Sequence, residues 1–146
     1  MKKFIKKNKW YIFFWTFCIS FYLLFTQVLL LGVVSSESML PTYEVNDITL
    51  SLKIIDTDSL KVGDVITFEH PDRSGKPEVM IKRIAAVSGD TVKIGDEEIT
   101  LKDGEFYVLG DNTQNSWDSR YWDEPFIKAE DIKGKVIVCK GDFEFG

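Results

Sequence analysis

VMIKRIAAVSGDTVKIGDEEITL, residues 79–101, holds three short apolar runs, 79–87, 90–94 and 97–101, parted by Ser88-Gly89-Asp90 and Gly95-Asp96. Each run is too short for a stable helix and rich in Val and Ile, which suit a pleated surface. Gly tolerates positive φ and Asp bonds its own backbone, so the two breaks are turns with a mechanism behind them. Gly95-Asp96 between alternating runs predicts a tight hairpin. The same pattern continues to both sides. ITLSLKII (48–55), DVITFEH (64–70), FYVLG (106–110) and KVIVCK (135–140) are further candidate strands, separated by Gly63-Asp64, Asp72 to Pro77, Asp103-Gly104 and Lys133-Gly134. No segment after residue 40 has a long helical period, so this part is expected to be mainly β, a compact barrel or folded sheet.

Before it the pattern is different. WYIFFWTFCISFYLLFTQVLLLGVV, residues 10–34, carries no charge over 25 residues. At about 1.5 Å per residue that length crosses the roughly 30 Å hydrocarbon layer. It is also longer than the apolar core of a cleaved secretory signal, and no polar face appears at helical period. The first 36 residues contain no Asp or Glu but five lysines, Lys2, Lys3, Lys6, Lys7 and Lys9; all 23 acids and the other 13 basic residues follow. The expected organisation is a basic cytoplasmic tail at 1–9, one transmembrane helix at 10–34 and an extracytoplasmic β domain at 35–146. The two parts carry formal charges of +5 and −10, and the acidic outer part argues against a nucleic-acid partner. The two cysteines, Cys18 in the apolar run and Cys139 near the end, do not suggest a disulfide.

Three stretches are too particular for a generic β domain. SSESMLPT (35–42) follows the apolar run directly, with Pro41 restricting the backbone after Ser38. In VMIKRIAAVSGD (79–90) Lys82 interrupts an apolar strand; on an edge it would face solvent, and enclosed it would lose charge and become a base. GDNTQNSWDSRYW (110–122) crowds carboxylates, amides, hydroxyls and Arg120 into one loop, where Asp118 can pair with Arg120. His70, in EHPDRSG, is expected to be a solvated surface residue.

In this order, and with LKVGDVITF (60–68) between the first two, these stretches resemble bacterial type I signal peptidases, membrane-bound serine endopeptidases with a Ser-Lys dyad. The resemblance implies Ser38 as nucleophile and Lys82 as general base. It implies an oxyanion hole from Ser36 and the backbone of Ser38, with Ser116 aiming the lysine and Asp118 and Arg120 holding the framework. It further implies a substrate strand paired beside Val33, Val34 and Ser35 on one side and Val79, Met80 and Ile81 on the other. Neither metal nor organic cofactor is implied. The partners implied are secreted preproteins with small residues before the cut, and a lipid bilayer, with the enzyme single-pass in the plasma membrane. One departure stands out: relatives commonly carry Arg-Asp where this chain has Thr113-Gln114, which removes a possible ion pair beside the site. Two other functions fit parts of the pattern, a non-enzymatic assembly factor for surface polymers and a self-cleaving Ser-Lys repressor protease. The retained serine and lysine weigh against the first, the apolar span against the second.

Overall fold

A computed structural model describes residues 9–140. The first element, α1, is the helix Lys9–Val28, with no buried residue along its 20 positions. It is long and apolar enough to cross a membrane. The basic tail falls outside the described residues except for Lys9.

The helix is shorter than the apolar run. Leu29–Val33 is a strand, β1, not the last turns of the helix. Its backbone pairs antiparallel with β2, Ile48–Leu52, in the register Leu29↔Leu52 to Val33↔Ile48. A continuous apolar run does not by itself announce where helix gives way to strand. The pairing partner 19 residues further on supplies that information.

Seven further strands follow: β3 (Val65–Pro71), β4 (Pro77–Ala86), β5 (Thr91–Ile94), β6 (Glu97–Thr100), β7 (Glu105–Leu109), β8 (Ile127–Lys128) and β9 (Ile132–Lys140). Seven of the nine form one sheet in the order β1-β2-β9-β3-β4-β7-β8, all neighbours antiparallel. The hairpin expected at Gly95-Asp96 is the separate pair β5–β6, with Gly95 at φ 63°. The strand assignments at 48–55, 64–70, 79–87, 106–110 and 135–140 meet β2, β3, β4, β7 and β9. The two-residue β8 is too short to leave an alternation and has no counterpart among them.

The core lies where β3, β4 and β7 turn their inner faces to the 117–132 segment. Ile66, Phe68, Ile84, Val108, Trp122 and Ile127 form its centre. Each such side chain contributes about 1.5–3 kcal/mol when withdrawn from water. Alternation along β4 buries Lys82, Ile84 and Ala86 on one face. His70 is half-buried, with its ring stacked on Trp122 at 3.8 Å between centroids, so the solvated surface histidine expected from sequence is instead part of this packing.

Candidate active site

Ser38 sits in a single 3-10 turn, Glu37–Met39, just after β1. Met39, fully buried, pins the turn from below, and Leu40 N–H donates to the Glu37 carbonyl. Ser36 occupies the N-cap position at φ −140° and ψ 161° without using its side chain to cap. Its hydroxyl is left to lie 3.2 Å from Ser38 Oγ.

Lys82 arrives from β4, on the face that the alternation turns inward. Its Nζ lies 2.6 Å from Ser38 Oγ, and the two residues are only 4% and 5% exposed. Burial pushes the lysine pKa down to about 8, although the charges of Asp118, Glu78 and Asp111 pull the other way. Withdrawal from water disfavours the ammonium, and here it outweighs three carboxylates. An amine so tuned is available to take a proton from the hydroxyl beside it.

Two ion pairs flank the couple. Arg120 Nε and Nη2 each donate at 2.8 Å to the fully buried carboxylate of Asp118, which also accepts from Gly110 N–H at 2.9 Å. Burial works to raise the Asp118 carboxyl, but Arg120 and Gly110 together hold it below the usual range. Arg83, next to Lys82 and so on the opposite face of β4, grips Asp111 through Nε at 2.8 Å and Nη2 at 2.6 Å. Asp111 also accepts from the Thr42 hydroxyl, and these bonds offset its burial, so its pKa too is lowered.

The 110–116 loop grips the Glu37–Met39 turn that carries Ser38, chiefly through that turn's backbone. Asn112 N–H donates to the Ser38 carbonyl at 3.0 Å, Asn112 Nδ2 to the Glu37 carbonyl at 3.0 Å, and Asn115 Nδ2 to Glu37 Oε2 at 3.1 Å. Gly110 makes this approach possible: a Cβ there would collide with Ser116 Oγ and the Ser38 carbonyl. Ser116 Oγ is buried and finds no hydrogen-bond partner among the described residues, although it stands close enough to Asp118 to help hold that carboxyl down.

A cleft of about 460 Å³ runs up to the Ser38–Lys82 couple. Val33, Val34 and Ser35 line one side and Val79, Met80 and Ile81 the other. Both sides offer unpaired backbone. β1 is the outer edge of the sheet, and β7 pairs β4 only from Arg83 to Ala86, leaving its first half without a neighbour on that side among the described residues.

A sequence model of the family described as "Signal peptidase, peptidase S26" matches residues 7–103 and 96–140. The chain belongs to that family. Among curated signal peptidases, "Signal peptidase I" of Leptolyngbya laminosa is 31% identical over 137 residues, covering 72% of this chain and 65% of the relative. "Probable signal peptidase I-2" of Synechocystis sp. is 27% identical over 135 residues, with 72% and 60% covered. "Signal peptidase I" of Pseudomonas aeruginosa is 27% identical over 169 residues, with 70% and 58% covered. The chain thus spans less than two thirds of the length of these three relatives.

For this signal peptidase-family chain, the structure brings Ser36, Ser38 and Lys82 to one point, with the Asp118–Arg120 pair behind them. It does not join Ser116 to Lys82. Sequence reasoning missed the Arg83–Asp111–Thr42 cluster, the asparagine grip on Glu37 and the requirement for Gly110. A signal for the first was present: adjacent Lys-Arg in a strand sends the two cations to opposite faces, and each face needs its own partner.

Proposed function

We propose that the chain is a membrane-bound serine endopeptidase that removes N-terminal signal peptides from secreted preproteins through Ser38 and Lys82. The observation that carries this reading is the 2.6 Å approach of Lys82 Nζ to Ser38 Oγ, both buried, at the end of a cleft with unpaired strand edges on each side. Family membership is its independent support.

In this mechanism the neutral Lys82 amine takes the Ser38 proton as Oγ attacks the scissile carbonyl. The oxyanion meets the Ser38 backbone N–H and the Ser36 hydroxyl, and losing one such donor typically costs about 10²–10³ in rate. The Lys82 ammonium then gives its proton to the departing amine of the mature chain, leaving an acyl-enzyme on Ser38. Water, deprotonated by Lys82, attacks the ester, and collapse returns the proton to Ser38 and frees the signal peptide. Ser116 aims the Lys82 amine. Its buried hydroxyl without a partner is a costly group, and an approach of the amine would relieve it. Asp118 and Arg120 keep the loop in place.

The substrate lies extended between Val33–Ser35 and Val79–Ile81 and adds a strand by backbone pairing. Small residues such as Ala one and three positions before the cut fit shallow pockets there. Helix α1 anchors the domain in the plasma membrane with the lysine-rich end cytoplasmic. A tethered preprotein and the anchored nucleophile then meet near one lipid surface.

The test is cleavage of a preprotein bearing an Ala-x-Ala site by the detergent-purified protein, with Ser38→Ala and Lys82→Ala beside it. Cleavage after the second Ala, abolished by both substitutions, is expected. A folded, intact protein that cuts no such preprotein across neutral to alkaline pH sinks the proposal.

A further inference from the structure

Besides Lys82, four ionisable side chains line the cleft: Glu37, Asp72, Arg73 and Glu78. Three are already engaged. Glu37 accepts from Asn115, and Asp72 Oδ1 accepts from Ser74 N–H, the Ser74 hydroxyl and Lys76 N–H, closing the turn between β3 and β4. The Arg73 guanidinium lies 4.9 Å from the centre of the Trp117 ring, a cation–π contact. Glu78 is exposed and makes no hydrogen bond or ion pair among the described residues.

The topology places that carboxylate along the cleft. Four successive antiparallel pairings, β1 with β2, β2 with β9, β9 with β3 and β3 with β4, leave β1 and β4 running in the same direction. Ser38, just past the forward end of β1, meets Lys82 toward the forward end of β4. Glu78 therefore lies back from the Ser38–Lys82 couple along the cleft, in the direction from which β1 runs. The two-residue period of a strand sets Glu78, Met80 and Lys82 on one face, and the Glu78 charge is felt at Lys82. Four residues of strand at about 3.3 Å each separate the two by about 13 Å.

We propose that Glu78 is a specificity-determining residue of this cleft, selecting a lysine or arginine four or five residues before the scissile bond. The proposal rests on the function given above, with the substrate strand taken to run in the same direction as β1 and β4 and to present its scissile carbonyl to Ser38. A substrate strand advances along the cleft in step with β4, so the residue opposite Glu78 precedes the cut by the same four or five positions. A cation there meets an uncommitted carboxylate, and an acid there is repelled. The pair is solvent-accessible, so the preference is modest and falls with salt.

The experiment uses the full chain in detergent and preproteins that share one Ala-x-Ala site and differ only at the fourth and fifth residues before the cut, as Lys, Ala or Glu. In low salt the ratio of kcat/KM for the Lys over the Glu substrate is expected to be about three- to tenfold, and to shrink toward one in about 0.5 M NaCl. Glu78→Gln brings the ratio to one, and Glu78→Lys inverts it. Each ratio is taken within a single protein, so any change in Lys82 basicity cancels. A ratio of one in the unsubstituted protein, or one that Glu78→Gln leaves unchanged, overturns the role of Glu78 while cleavage itself stands. Failure of the unsubstituted protein to cut even the Ala preprotein overturns both proposals.

Discussion

At Lys82 one physical effect governs both chemistry and stability. Burial lowers its pKa from 10.5 to about 8, so the neutral, proton-accepting form becomes available close to physiological pH. If Lys82 is the base, kcat/KM for an Ala-x-Ala substrate rises with pH through about 8 and then levels; a profile flat from pH 6 to 10 would contradict the assignment. The same shift has a stability consequence. Between about 8 and 10.5 the unfolded chain holds a proton on this lysine that the folded chain does not. Stability therefore rises with pH across that window, by about 3 kcal/mol for a shift of this size. Below about 8 the full cost of burying the ammonium is present. Lys82→Met removes the titrating group, so its denaturation curves compared with the unsubstituted protein should differ by a gap that changes between pH 7 and 10.5. Parallel behaviour of the two proteins would show that the lysine is not desolvated. At this scale the sequence was informative about identity and silent about environment. Lysine in an apolar strand and serine before Met39 stood out, but enclosure of the ammonium depends on a turn 44 residues away.

Among elements, the loop after β7 acts as a clamp on the turn that carries Ser38. Gly110 permits the contact, so Gly110→Ala forces either the loop or the Ser38 carbonyl to move. Overpacking of this kind costs about 1–3 kcal/mol, and a displacement near 1 Å at reacting atoms costs about 10²-fold in rate. The expected result is a folded protein with about a hundredfold lower kcat/KM; near-wild-type turnover would show that the clamp does not position Ser38. Arg83→Lys tests the second tie. Lysine keeps the charge but not the two-point grip on Asp111, and a loss of about 1–2 kcal/mol by urea denaturation is expected. No change in the denaturation midpoint would mark the pair as ornamental. The strands were legible because glycine and aspartate mark their turns, and Gly95-Asp96 behaved as its chemistry demands. The clamp was not, since its bonds run to backbone carbonyls that any residue would present. Arg120 illustrates the point: beyond Asp118 it reaches the carbonyl of Thr113, a contact for which the Thr113-Gln114 side chains are irrelevant.

Across the whole molecule, the consequential feature is the passage from α1 to β1 without an intervening loop. The 20 residues of α1 are about 30 Å long, the thickness of a bilayer's hydrocarbon, so the helix is long enough to cross one without β1. The apolar run therefore divides into a helix and a strand, and composition alone could not mark the division. The division is testable by truncation. A chain beginning at Leu29 keeps β1 paired to β2 and keeps Val34 bonded in both directions, its N–H to the Asp47 carbonyl and its carbonyl to Asn46 N–H. A chain beginning at Ser35 loses the edge strand, one wall of the cleft and the buried Val34 side chain just ahead of the turn that carries Ser38. Both are compared in detergent on a short peptide that needs no membrane. The first should stay within about tenfold of the full chain, whereas the second should fall by about a hundredfold or more, because the reacting groups lose their support. Equal activity in the two would mean that β1 belongs functionally to the anchor. Loss in both would mean that α1 itself holds the cleft together, and the separation of anchor from catalytic wall would have to be abandoned.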